Sequence, residues 1–288
     1  MNTIIGKQNI NATVRRLDIK DEALAAKFRP GHFVTLMVDA ASSPVPCHVF
    51  EVDLRRKCLS IIFEVADDPA LRLEELKIND TVYALSGPYG VAIPLEKKGT
   101  IVIVGEGLGL VSLLSLARGL KNVGNKVIGL AGFESRKTSL FESQLRLNCT
   151  KFQVMHKDGM HERKGDVLGP LKKVLQAESV ARIYADVSPE ILMGVRALAA
   201  EKGVPVSVNL MGMLQAGGNF SVETSMMISG RRYFPAVEGI MVDAQAIDVK
   251  EAVGAAESKR EYFSCRKKEA GLLRQKSVLA RLKKLFWG

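Results

Sequence analysis

TIVIVGEGLGLVSLLSLARGLKNVG, residues 100–124, is the stretch whose reading decides the fold. Residues 100–104 are an apolar, β-branched run and predict a strand. Three glycines follow at alternate positions, Gly105, Gly107 and Gly109, and residues 111–124 have the length and spacing of a helix. A strand that runs through a glycine turn into a helix lets backbone N–H groups approach a pyrophosphate at the helix N-terminus. Glycine is suited to the turn because it adopts positive φ without steric cost. Such turns also serve close packing, so the strand before and the helix after supply the weight. Glu106 stands inside the turn. A carboxylate beside a pyrophosphate repels it, and the turn is read with Glu106 pointing to solvent.

Downstream, strands and helices alternate. Strands are expected at 126–133, 151–156, 181–187 and 204–210, with helices at 140–147, 165–175 and 189–203. That alternation predicts a parallel, doubly wound sheet. Upstream, 33–38, 47–53, 59–66 and 81–86 read as short strands separated by turn residues, with a helix or turn over 71–79. This pattern predicts a small antiparallel barrel or sandwich. The expected fold is an N-terminal antiparallel β-barrel (1–98) followed by a Rossmann-like α/β domain with a parallel sheet (99–210). A β-like and turn-like segment (211–245) and a basic helical tail (246–288) complete the chain.

Composition sets the limits. Hydrophobic residues make up 47% and charged residues 25% of the 288, as in ordinary globular proteins. No apolar run approaches the roughly 18–20 residues of a spanning helix, and the first residues lack a signal-peptide core. A cytoplasmic protein is expected. Cys47, Cys58, Cys149 and Cys265 are scattered and read as free thiols, without the spacing of a zinc site. The net charge of +10 is concentrated: residues 259–288 hold ten Lys or Arg against Glu261 and Glu269. With so little excess charge elsewhere, nucleic acid is not an expected partner.

The chain resembles the ferredoxin–NADP reductase superfamily over about residues 1–245, in order. RPGHFV (29–34) is similar to the family's K/R-P-G-Q-F-V, and SGPYG (86–90) to its V-G-P-L-G. The run 104–127 is similar to its glycine turn and following helix, and KDGMHERKGDV (157–167) to D-D-G-S-x-G-x-K-G-x-V. SPEILM (188–193) and AVEGIMVD (236–243) resemble its G-P-P-x-M-M and A-C-V-D-G-P-x-F-D segments. Within that superfamily the chain looks most like electron-transfer subunits of flavin-dependent NAD(P)H oxidoreductases. The resemblance implies FAD beside Cys47, His48, Val49, Gly87, Tyr89 and Gly90. It implies NAD(P) beside Gly105, Gly107, Gly109, Asp158 and Pro189.

The departures fall on the chemistry. Where the family's flavin strand reads R-x-P-L-T-I, this chain has Pro44 at the Arg position and His48 at the Thr position. Proline cannot replace a guanidinium fork on a phosphate, so FAD affinity is expected to be reduced or abolished. The family's cluster cysteines correspond to Ser221, Thr224 and Ala236, so no [2Fe–2S] cluster is expected. His48 otherwise reads as a satisfied, partly buried histidine. His156 and His161 lack a third ligand, so no metal is expected there. No nucleophilic set presents itself, and no catalytic residue is assigned. Met211, Met213, Met226 and Met227 read as gap-filling core.

In the tail, Leu272, Val278, Leu279, Leu282, Leu285 and Phe286 share one arc of a helical wheel, opposite Arg274, Lys276, Arg281, Lys283 and Lys284, and Trp287 follows. Docking of Leu272 to Trp287 on a partner ranks first, an anionic membrane surface second and a frayed terminus third. Two functions stand. One is an electron-transfer subunit passing electrons between NAD(P)H, FAD and a larger flavoprotein or iron–sulfur subunit. The other is a non-catalytic structural or regulatory subunit on the same scaffold.

Overall fold

The computed structural model describes residues 2–65, 68–159, 164–216 and 220–248. The tail segment Leu272 to Trp287 and His161 lie outside the described residues. The first sheet holds β1 (Thr3–Asn9), β2 (Val14–Lys20), β3 (Phe33–Met37), β4 (Val45–Asp53), β5 (Cys58–Glu64) and β6 (Ala84–Tyr89). They lie antiparallel in the order β1-β2-β5-β4-β3-β6. Thr3 bridges Thr81, and the Ile4 N–H donates to the Asp80 carbonyl at 2.9 Å, so the two edges meet and the sheet closes into a barrel. Ile4, Leu17, Ile19, Leu36, Leu59 and Ile61 fill it. Helix α1 (Glu22–Lys27) starts where the Asp21 carboxylate accepts the Leu24 N–H at 2.9 Å, and α2 (Asp68–Glu75) adds the buried Leu73.

Two barrel strands go beyond the four expected. The charges of VRRLDIK obscured β2, but they are paired. Arg16 Nε donates to Asp18 Oδ1 at 2.7 Å, Ser60 Oγ donates to the same oxygen at 2.7 Å, and Arg15 pairs with Glu74. The last strand is also shifted, to 84–89 instead of 81–86. It runs through Gly87 and Pro88 because β3 pairs with it from Phe33↔Tyr89 to Met37↔Ala84.

The second sheet starts with β7 (Thr100–Glu106), α3 (Gly109–Asn122), β8 (Lys126–Phe133), α4 (Glu142–Asn148) and β9 (Lys151–His156). It continues through α5 (Leu168–Ala177), β10 (Val180–Asp186), α6 (Pro189–Ala200) and β11 (Val206–Asn209). Strands β9-β8-β7-β10-β11 are parallel, as the alternation predicts. Their two faces are both covered. Ile101 and Ile103 pack with α3, while Val102 and Val104 pack with α5 and α6.

The segment after residue 210 differs from its β-like reading. It opens with α7 (Met211–Ala216), whose first N–H is accepted by Asn209 Oδ1 at 2.9 Å. It continues with a hairpin of β12 (Met226–Ile228) and β13 (Arg231–Tyr233), then α8 (Pro235–Glu238). It ends on β14 (Met241–Asp243), which joins β11 antiparallel and makes the sheet mixed at that edge. Met211 is buried and Met213 and Met226 are partly so. Met227, expected in the core, is 52% exposed because its hairpin position faces outward.

The two halves meet along an apolar seam. Val14, Phe50 and Ile62 on the outside of the barrel pack on Leu110, Val111 and Leu114 of α3. Arg118 and Glu51 pair across its rim at 3.2 Å.

Candidate functional site

The barrel's contribution is β4. Cys47, His48 and Val49 are buried on it, and His48 is 3% exposed. Its Nδ1 lies 2.5 Å from Ser112 Oγ on α3, so the ring spans the seam as a satisfied histidine. Burial pushes its pKa down to about 4, so the ring is neutral at pH 7. Cys47, His48, Val49, Ser112, Asn209 and Met211 line a crevice between the two halves. Gln215 Nε2 donates to the Pro46 carbonyl at 3.1 Å and closes over the same strand. Pro44 stands where the resemblance places a phosphate-binding guanidinium, so this strand offers no cation to a flavin pyrophosphate.

The titration of His48 gives a first prediction. Its folded pKa lies below its unfolded value, so its stabilisation is full above about pH 6.5 and is lost as pH falls toward 4. The loss is about 3 kcal/mol. His48→Asn keeps a neutral polar atom toward Ser112 and removes this acid loss, so in urea unfolding it is expected to gain stability relative to wild type as pH falls from 7 to 4.5. An unchanged slope in the variant would refute this assignment.

Gly87, Tyr89 and Gly90 lie at the end of β6. Tyr89 packs against Phe33 and Phe220, with ring centroids at 5.6 and 6.0 Å, and the Gly90 N–H donates to the Ala236 carbonyl at 2.8 Å. These residues are therefore covered by the segment after α7. Of the cluster positions in that segment, Ser221 and Thr224 close a turn, the Ser221 N–H donating to Thr224 Oγ1 at 2.7 Å. Ala236 is buried with Phe33, Met211, Leu214 and Phe220. Cys47, Cys58 and Cys149 are buried elsewhere, and the described residues hold no group of three or more His, Cys, Asp or Glu placed to bind a metal. Among the described residues no thiolate set for a [2Fe–2S] cluster comes together.

The α/β half contributes the glycine turn. Gly109 is the first residue of α3, two positions earlier than expected. Gly107 has φ +52°, and a side chain added there would meet no atom within 4 Å, so the space over it is open. Gly105 and Gly109 are glycines for packing: an added Cβ would come 2.6 Å from Leu110 and 2.5 Å from Asp186 Oδ1. Glu106 does not point to solvent. Its Oε2 accepts the Ser188 N–H at 2.8 Å, immediately before Pro189 at the start of α6. Asp158 sits apart, in a turn after β9 where its N–H donates to the Glu134 carbonyl at 3.1 Å.

Two groups here were not singled out from the sequence. Asp186 ends β10 and Asn209 ends β11, both buried. Neither Asp186 Oδ2 nor Asn209 Nδ2 has a hydrogen-bond partner. Burial pushes the Asp186 carboxyl up to about 7, and the nearby Asn209 amide opposes this without reaching hydrogen-bond geometry. A polar residue closing an otherwise apolar strand, YAD or VSVN, was the available signal.

A closed antiparallel barrel followed by a parallel α/β sheet, with α3 on the seam, is the ferredoxin–NADP reductase-like fold. Within that class the chain is similar to electron-transfer subunits, in one case along nearly its whole length. It is 24% identical over 262 residues to the dihydroorotate dehydrogenase B (NAD(+)) electron transfer subunit homolog of Thermotoga maritima, covering 91% of this chain and 92% of that protein. It is 26% identical over 170 residues to the dihydroorotate dehydrogenase B (NAD(+)) electron transfer subunit of Streptococcus thermophilus, covering 57% of this chain and 65% of that one. Among solved structures, a chain of an NADH-dependent reduced ferredoxin-NADP oxidoreductase, from work on flavin-based electron bifurcation, matches with TM-score 0.82 at 22% identity, over 94% of this chain and 98% of that one. A Plasmodium falciparum ferredoxin-NADP+ reductase variant matches with TM-score 0.57 at 16% identity, over 72% of this chain and 94% of that one. No protein-family model matches the chain. No helix among the described residues is long and apolar enough to cross a membrane.

Proposed function

We propose that this chain is a subunit of an NAD(P)H-linked flavin oxidoreductase assembly, and that it supplies the reductase scaffold for assembly or regulation without carrying FAD or a [2Fe–2S] cluster of its own. The observation that carries this reading is the seam between β4 and α3. There His48 bonds across to Ser112 at 2.5 Å, and Pro44 supplies no cation for a flavin pyrophosphate. The partner in this reading is a larger redox flavoprotein or iron–sulfur subunit, contacted through the segment Leu272 to Trp287. The test is a visible absorption spectrum of the full-length protein, purified without added cofactor and again after adding FAD. A featureless spectrum in both samples is expected, with stoichiometric co-purification of the partner. Flavin bands that stay with the protein, at sub-micromolar FAD, would overturn the reading.

One observation favours a second reading, an electron-transfer subunit that binds FAD and NAD(P)H. The similarity to electron-transfer subunits runs through both halves, covering 91% of the chain. In that reading Cys47, His48, Val49, Gly87, Tyr89 and Gly90 face the flavin. Gly105, Gly107, Gly109, Asp158 and Pro189 face the nucleotide. Bleaching of a bound flavin by NAD(P)H is its signature.

A further inference from the structure

Strands β8, β7 and β10 end side by side, in the sheet order β10-β7-β8. The chain runs from β7 to β8 on one side and returns as β10 on the other. This reversal is the switch point at which open α/β sheets take ligands, outside the carboxyl ends of the strands. Helices α3 and α6 follow β7 and β10, so both begin at this crevice. Neither start has a side-chain cap of its own: Leu108 precedes α3, and the Ser188 side chain makes no capping bond.

Glu106 occupies the middle of this place. In an ordinary capping box, a Glu or Gln at the third helical position returns to the N-cap N–H. The third position of α6 is Ile191, which cannot do so. The carboxylate arrives from another element instead: Glu106 reaches from the end of β7 to the Ser188 N–H at 2.8 Å. Its stem lies over β8, where a Cβ added to Gly132 would come 3.2 Å from Glu106 Cγ. One side chain therefore crosses all three strand ends. A second carboxylate stands beside it. Asp186 lies against Gly109 at the start of α3, 9% exposed and with Oδ2 unpartnered.

We infer that the Glu106 carboxylate is an internal occupant of a latent dinucleotide crevice, seated at the start of α6 where a phosphate of a pyrophosphate-containing ligand would otherwise lie, and that it keeps such ligands out. The ligand class follows from the turn. The space over Gly107 is open to a backbone-bound anion, and α3 presents an uncapped start to it. A phosphate entering there meets the Glu106 charge at close range and must also displace its bond to Ser188. The inference stands apart from the question of FAD in the seam.

The test titrates ADP-ribose and NADH by calorimetry into the full-length wild type, Glu106→Gly and Glu106→Gln, each checked by circular dichroism for an intact cooperative melt. Glu106→Gly removes charge and bulk. Glu106→Gln keeps an acceptor oxygen for Ser188 and removes the charge alone. Wild type is expected to show no saturable binding at millimolar ligand. Glu106→Gly is expected to bind roughly tenfold tighter or better, with Glu106→Gln between the two. Wild type binding as tightly as Glu106→Gly overturns the inference. So does a folded pair of variants that bind no better than wild type. FAD added to the same samples reads the seam separately, so a flavin bound by wild type would sink the proposed function and leave this result untouched.

Discussion

Asparagine in place of Asp186 is expected to stabilise the protein by up to about 4 kcal/mol at pH 8 and to change little at pH 4. Asp186 ends β10 with 9% exposure, and its Oδ2 has no partner. Burial raises its folded pKa to about 7, above the ordinary 3.8. For an acid raised in this way, the native state holds the proton that the unfolded state releases. Stability is therefore unpenalised below about pH 3.8, falls as pH rises, and carries the full penalty above about 7. The penalty is that of ionising a buried carboxylate whose Oδ2 has no donor. Asn keeps the shape and never ionises. Urea unfolding of wild type and Asp186→Asn at pH 8 and pH 4 measures the difference. A variant less stable than wild type at pH 8 would show that the carboxylate is in fact well solvated.

His48 titrates in the opposite sense. It loses stability on acidification over the same range in which protonation of Asp186 restores it. Between about pH 4 and 6.5 these two contributions to the wild-type profile oppose each other, each by about 3 kcal/mol. Either variant alone exposes the other term. Asp186→Asn should become steeply acid-sensitive, and His48→Asn should become more stable as pH falls.

The parts legible in the sequence are those whose hydrophobic period is fixed locally. TIVIV and KVIGLAGF are buried on both faces and read as continuous apolar runs, and the glycine turn between strand and helix marks the sheet's first crossover. The resemblance also identified the altered positions at Pro44, His48 and Ala236. Parts set by tertiary pairing were hidden. Strand β2 depends on Asp18, Ser60 and Glu74 to receive its arginines. The three-residue β14 exists as a strand because β11 lies beside it. Helix α7 depends on Asn209 to hold its first N–H. The direction of Glu106 belongs to the same group. Nothing within the turn determines it, and the cause lies some eighty residues on, in an N-cap N–H that α6 leaves unclaimed because its third residue is Ile191. A serine followed by Pro-Glu-Ile instead of an acid at the third position was the only trace of it in the sequence.

The largest loss of stability is expected from Phe33→Ala. Phe33 is 1% exposed at the start of β3 and packs with Met211, Leu214, Phe220, Ala236 and Ile240. Its ring lies 5.6 Å from those of Tyr89 and Phe220, the latter at 81°, an edge-to-face contact. Truncation removes a fully buried ring and leaves a cavity, at a cost of about 3–5 kcal/mol. Location makes this more than a core deletion. On one side the ring is barrel, and on the other it is the segment that follows α7, where the resemblance would place cluster ligands and this chain has Ser221, Thr224 and Ala236. Backbone continuity carries that segment back to β14 at the sheet edge, but Phe33 and the Gly90–Ala236 bond attach it to the barrel. Hydrogen exchange should therefore speed up first over residues 220–240 in Phe33→Ala, ahead of β7 and β8, whose burial does not involve this cluster. Uniform acceleration across both sheets would mean that the segment and the sheets open as one unit, and that Phe33 adds stability without joining the segment to the barrel.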